Sequence, residues 1–142
     1  MIIKLDHVGV ATGDPEGAEQ LLRLLGLTSG DHGVAPDYGV ACAFWSPAGE
    51  KAAVELVSPV GGAAAAVQGR LDREGPGLYH VAFEVDDVEA ELTRLRREGL
   101  IIVDQEPRAG ARPGMRVAFV YLRRPAALLV ELVEYQRRGG GP

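Results

Sequence analysis

The sequence predicts an α+β fold: two βαβββ modules that build one curved, eight-stranded mixed sheet with a cleft. Three observations carry this. The segments Lys4–Thr12 (KLDHVGVAT) and Leu78–Asp87 (LYHVAFEVDD) each read as a strand with one histidine, followed by an acidic helix start. Laying Leu78 on Leu5 brings His80 onto His7, Val81 onto Val8, Asp87 onto Asp14, Leu95 onto Leu22, Gly99 onto Gly26 and Leu100 onto Leu27. Each half also ends in a strand that carries a glutamate among apolar neighbours, Glu55 in AAVELVS and Glu131 in LLVELVE.

The elements follow in order. In the first module (1–60), Asp14 before Pro15 is an N-cap followed by a residue suited to the first helical turn. Leu21, Leu22 and Leu25 form the apolar stripe of that helix, and Gly26 ends it. The stretch SGDHGVAPD, with His32, reads as a turn-rich loop, and GVACAFW and AAVELVS read as strands. Residues 61–77 form a linker, alanine-rich in the middle and bounded by Pro and Gly. In the second module (78–136), Asp86 or Asp87 caps a helix with the stripe Val88, Leu92 and Leu95, which Gly99 closes. The strands LIIVD, MRVAFVYL and LLVELVEY follow, and Ala118–Phe119 matches Ala43–Phe44 of the first module. Arg94–Glu98 (RLRRE) reads as a solvated helix face, and the tail 137–142 (RRGGGP) as disordered.

Composition narrows the function classes. A chain of 142 residues with 46% hydrophobic and 25% charged residues can bury a core. Its net charge of −5 argues against nucleic acid or an anionic membrane as partner, because neither attracts an acidic surface. One cysteine, Cys42, excludes an internal disulfide framework and suits a reducing cytoplasm. The start MIIKLDHVG lacks the pattern of a signal peptide, and runs such as VACAFW are too short to cross a bilayer. A soluble cytoplasmic protein with a small-molecule substrate is the expectation.

Strand alternation puts Ala53, Glu55 and Val57 on one face, and Leu129, Glu131 and Val133 on one face. A buried, unpaired carboxylate costs several kcal/mol, about 3–5, so each glutamate needs a compensating group. Each half supplies one histidine on its first strand: His7 goes with Glu55, and His80 with Glu131. If the halves pack as pseudo-twofold partners, the four converge on one point in the cleft. Two imidazoles and two carboxylates suit one divalent ion such as Co, Ni, Zn or Mn, with positions left for water or substrate.

The segments LDHVGVA, VELVSP, GLYHVAFEVDDVEAEL, PRAG followed by GMRVAF, and LLVELVE span nearly the whole chain. In them the sequence resembles the vicinal-oxygen-chelate (glyoxalase-like) superfamily and, within it, the methylmalonyl-CoA epimerases. The resemblance implies metal binding by His7, Glu55, His80 and Glu131, an acyl-CoA substrate, and a homodimer. It implies epimerisation of a 2-methylmalonyl-CoA-type thioester, by removal and return of a proton through a metal-stabilised enolate. Glu131 and Cys42 are the candidate catalytic residues. Cys42 occupies the place where several bacterial epimerases carry a glutamate thought to be the base, and VYLRRP replaces the usual His-Pro after RVAF. These departures keep two other readings open. One is a different divalent-metal enzyme of the fold, such as a glyoxalase-like lyase, a secondary-metabolism isomerase or a dioxygenase. The other is a non-enzymatic small-molecule binding or resistance protein. Glyoxalase I shares the His/Glu/His/Glu set, but HVGVAT lacks the arginine it carries soon after the first histidine.

Overall fold

A computed structural model describes residues 1–61 and 65–136; the expected disordered tail, 137–142, lies outside them. The described residues form nine strands, three α-helices and a 3₁₀ turn at Pro36–Tyr38, with parallel and antiparallel pairing mixed in one α+β architecture. The chain divides into two compact units, His7–Tyr79 on one side and Met1–Asp6 with His80–Pro142 on the other. Strands β1 (Ile2–Ala11) and β5 (Gly77–Val85) each contribute residues to both.

In the unit His7–Tyr79 the strand order is β2 (Thr28–Ala35), β3 (Val40–Ser46), β4 (Ala53–Pro59), β1. β2–β3 and β3–β4 are antiparallel, and β4 returns parallel to β1. Helix α1 (Pro15–Leu24) starts where the sequence places it, with the Asp14 carboxylate accepting from the Gly17 N–H at 3.0 Å. Its apolar stripe differs from expectation. Ala18 and Leu22, with Leu27 just beyond the helix, pack on Ala43, Trp45 and Leu56, whereas Leu21, Leu24 and Leu25 are exposed. A helix set on a sheet through two small contact points leaves its next apolar row in solvent. Helix α2 (Ala66–Glu74) occupies the alanine-rich linker and buries Val67.

The region around His32 is a strand, not a loop. Its Gly, Ser and Asp residues mimic turn composition, yet it pairs along β3 as an edge strand, with a register shift between Ser29 and His32. Such bulges are common at sheet edges and hide the period-2 pattern from sequence inspection.

The second unit repeats the order with β5, β9 (Leu128–Tyr135), β8 (Met115–Leu122) and β6 (Ile101–Ile102). Here β9 runs parallel to β5 and antiparallel to β8. The ninth strand, β7 (Arg108–Ala109), also pairs with β8, so the strand expected from LIIVD is interrupted and its continuation is a separate piece. Asp87 is the cap of α3 (Val88–Arg97), accepting from the Ala90 N–H at 3.0 Å. This helix does bury its stripe: Val88 and Leu92 pack with Val85, Ala118, Val120, Val130 and Leu132, and Leu95 borders them. Gly26 and Gly99 follow α1 and α3 at φ of +90° and +83°, a conformation that glycine adopts at little cost.

Leu92→Ala is expected to destabilise the protein by about 2–5 kcal/mol, as large-to-small changes in a filled core do. Leu24→Ala, on the exposed row of α1, is expected to leave stability within about 0.5 kcal/mol. Urea unfolding midpoints of the two variants check both.

Candidate metal centre

Each unit holds one histidine–glutamate pair on the sheet face opposite its helix. In His7–Tyr79, Gly9 lies beside Glu55 across the parallel β1–β4 pair, so His7, two residues earlier, projects from the same face as Glu55. His7 Nε2 stands 3.5 Å from Glu55 Oε2, and both side chains are buried. β3 brings Phe44 opposite Glu55, with its ring perpendicular to the His7 imidazole at a centroid distance of 5.5 Å.

The other unit repeats this in its own residues. Ala82 lies beside Glu131 across the parallel β5–β9 pair, and His80 precedes Ala82 by two. His80 Nε2 stands 2.9 Å from Glu131 Oε2, again with both side chains buried. Phe119 sits opposite Glu131 on β8, its ring perpendicular to the His80 imidazole at 5.3 Å. Beside each glutamate on the parallel strand is a small residue, Gly9 or Ala82, which leaves the carboxylate room to reach its imidazole.

The chemistry of the donor set fits a divalent ion. Each pair turns a ring nitrogen and a carboxylate oxygen toward each other. Imidazole with carboxylate is a donor mixture that borderline divalent ions accept. Buried His7, Glu55, His80 and Glu131 can hold a metal ion.

Cys42 is buried on β3, opposite Val57 and two residues before Phe44, so it shares the sheet face that carries Glu55. His32 pairs with Ala43 and faces the α1 side instead, where its Nε2 meets Glu19 Oε1 at 3.0 Å in an exposed contact. The Arg-rich run on α3 is solvated as expected, with Arg94 on Glu91 and Arg96 donating to Gln105.

Sequence reasoning missed a second polar cluster. The Tyr135 hydroxyl donates to Asp6 Oδ2 at 2.9 Å, and Arg112 Nη1 donates to the Tyr135 oxygen at 2.7 Å. Burial, and then the negative charge of Asp6, raise the Tyr135 pKa well above the ordinary phenol value. It also missed Phe44 and Phe119 as the walls of the two pairs, although the Ala-Phe match between the halves was the available signal.

The family model described as Glyoxalase/Bleomycin resistance protein/Dioxygenase superfamily matches residues 6–119. The chain is 33% identical to an ethylmalonyl-CoA/methylmalonyl-CoA epimerase of Cereibacter sphaeroides, covering 93% of this chain and 98% of that protein. Among solved structures, methylmalonyl-CoA epimerase from Mycobacterium tuberculosis is similar at TM-score 0.86 and 30% identity, over 96% of this chain and 91% of that one. A variant of the Streptomyces coelicolor methylmalonyl-CoA epimerase, in complex with 2-nitronate-propionyl-CoA, matches at TM-score 0.86 and 27% identity, over 96% of this chain and 100% of that one.

The Asp6–Tyr135 contact generates a pH test. The raised value keeps the phenol protonated in the folded chain after the unfolded chain has lost its proton. The stabilisation is therefore present below the ordinary phenol value of 10.0 and is lost as pH rises above it. Urea midpoints taken at about pH 9 and about pH 11 should fall further for the wild type than for Tyr135→Phe.

Proposed function

The chain belongs to the Glyoxalase/Bleomycin resistance protein/Dioxygenase superfamily, and within it we propose that this protein is a metal-dependent epimerase of a 2-methylmalonyl-CoA-type thioester. One observation carries the reading: a buried imidazole–carboxylate pair is written twice, in matched register, along a chain similar to such epimerases over nearly its full length. His7 and His80 offer Nε2, Glu55 and Glu131 offer carboxylate oxygens, and we assign all four to a single divalent ion of the Co, Ni, Zn or Mn type. When bound, the ion supplies Lewis acidity to the substrate's two oxygens, which makes the hydrogen on the carbon between them acidic.

The protein's own residues do the rest. Phe44 and Phe119 pack perpendicular to the two imidazoles and hold their planes. Epimerisation requires one group to take the proton from the reacting carbon and another to return a proton on its opposite face. We assign Cys42 and Glu131 to this traffic, because each lies on the ligand-bearing face of its unit. The acyl-CoA class of the substrate is supported by the bound 2-nitronate-propionyl-CoA of the Streptomyces coelicolor relative.

We also assign a cytoplasmic homodimer. Among the described residues no helix is long and apolar enough to cross a membrane. The exposed row Leu21, Leu24 and Leu25 is an apolar surface of the kind that subunit contacts cover.

Metal analysis should find one ion per chain in the wild type and near-complete loss in both His80→Ala and Glu131→Ala; full occupancy in both would remove the assignment. Metal-loaded protein incubated with methylmalonyl-CoA in D₂O is expected to exchange the C2 proton. Cys42→Ser is expected to slow that exchange about 100-fold if the thiol moves the proton. Background exchange alongside turnover of a hemithioacetal or another β-dicarbonyl would move the protein to a different metal enzyme of the fold.

A further inference from the structure

Strand β8 has a gap along its outer edge. β6 pairs with it as far as Ile102 opposite Val120, and β7 resumes only with Arg108 opposite Val117. Phe119 lies in that gap, where no strand meets its outward backbone groups. Asp104 fills the place. Its carboxylate Oδ2 accepts from the Phe119 N–H at 2.8 Å, while the N–H groups of Val103 and Asp104 donate to the Phe119 carbonyl at 3.0 and 3.2 Å. Val103 and Asp104 together thus replace the ladder rungs that the missing strand would make, and the bond to the Phe119 N–H comes from the Asp104 side chain.

The repair falls beside a ligand pair. Phe119 is the residue opposite Glu131 in the ladder, and its ring stands against His80. Asp104 is buried, with 6% of its surface exposed, so its carboxylate is held by fixed partners rather than by water. Arg108 Nε lies 3.4 Å from Asp104 Oδ1 on the other side of the carboxylate. The other unit solves the same problem with backbone. Its edge strand continues past Phe44 through the bulge between Ser29 and His32, and a Cβ on Gly30 would come within 3.1 Å of the Phe44 carbonyl oxygen. The His80 half therefore depends on a side chain where the His7 half depends on a glycine.

We infer that Asp104 is a positioning residue for the His80–Glu131 half of the metal centre: it pins the backbone of Phe119, and through the Phe119 ring it fixes the orientation of the His80 imidazole. This rests on the metal-binding reading above. Groups that orient metal ligands without touching the ion commonly contribute a factor of about 10–100 in affinity.

The test is Co²⁺ titration by calorimetry, together with the visible absorption bands of the Co²⁺-saturated protein. The proteins are wild type, Asp104→Ala, Asp104→Asn, Phe119→Leu and the exposed control Glu106→Gln. Asp104→Ala should weaken Co²⁺ binding about tenfold and change the saturated bands. Asp104→Asn keeps an oxygen acceptor for the Phe119 N–H and should recover most of both. Phe119→Leu removes the ring, leaves the Asp104 tie in place, and should change the bands in the same way. It carries the test if the alanine variant does not fold. Wild-type affinity and bands in Asp104→Ala, or unchanged bands in Phe119→Leu, would overturn the inference. Absence of Co²⁺ binding by the wild type would instead overturn the metal reading on which it rests.

Discussion

A carboxylate buried beside an imidazole, once in each unit, is the constraint around which the rest of this structure is arranged. Taking Glu55 and Glu131 out of water is costly, and an internal ion pair repays that cost poorly compared with well-packed apolar side chains. The two pairs are therefore a load on folding rather than its source. The stability must come from the opposite faces of the same strands. Val85, Val88, Leu92, Ala118, Val120, Val130 and Leu132 form an apolar layer under α3, and a smaller layer under α1 centres on Trp45. Period-2 alternation lets one strand do both tasks. In β9, Val130 and Leu132 face the helix while Glu131 between them faces the histidine.

The units share a strand order but spread the work unequally. α3 buries its stripe and α1 does not. The edge strand is continuous and bulged in one unit, and broken into β6 and β7 in the other. Where the strand breaks, a carboxylate takes over. Divergence after duplication is easiest in edge strands and on helix exteriors, where few partners constrain a residue. The glutamate-bearing strands β4 and β9 are bound by pairing on both sides within their units. His7, Phe44 and Glu55 accordingly find His80, Phe119 and Glu131 as counterparts with matching geometry.

This explains which parts were legible in the sequence. The helix caps at Asp14 and Asp87, the terminating glycines and the two histidine–glutamate pairs follow from local chemistry or from self-similarity, and all were readable. β2 was not, because a bulged edge strand of Gly, Ser and Asp has the composition of a turn. Neither was the exposure of Leu21 and Leu25, since helical periodicity gives the apolar row but not how closely the helix sits on its sheet. The Asp6–Tyr135–Arg112 cluster and the Asp104–Phe119 tie join residues far apart in the chain, and no spacing rule connects them.

The retained and altered positions also divide by chemical task. The residues suited to holding an ion, His7, Glu55, His80 and Glu131, are all present and buried. Around them, on the same sheet faces, stand residues of other chemistry. Cys42 stands on the ligand-bearing face of β3, and Tyr121, opposite Leu129, lies on the ligand-bearing face of β8 ahead of the Arg123–Arg124 turn. Holding a metal requires four donors in a fixed geometry and tolerates little change. Moving a proton requires only that a group of suitable basicity reach each face of the carbon, a task that thiol and carboxylate perform with different pH dependence. The proton-transfer positions are therefore where a protein of this fold can change its chemistry without giving up the residues that hold its ion.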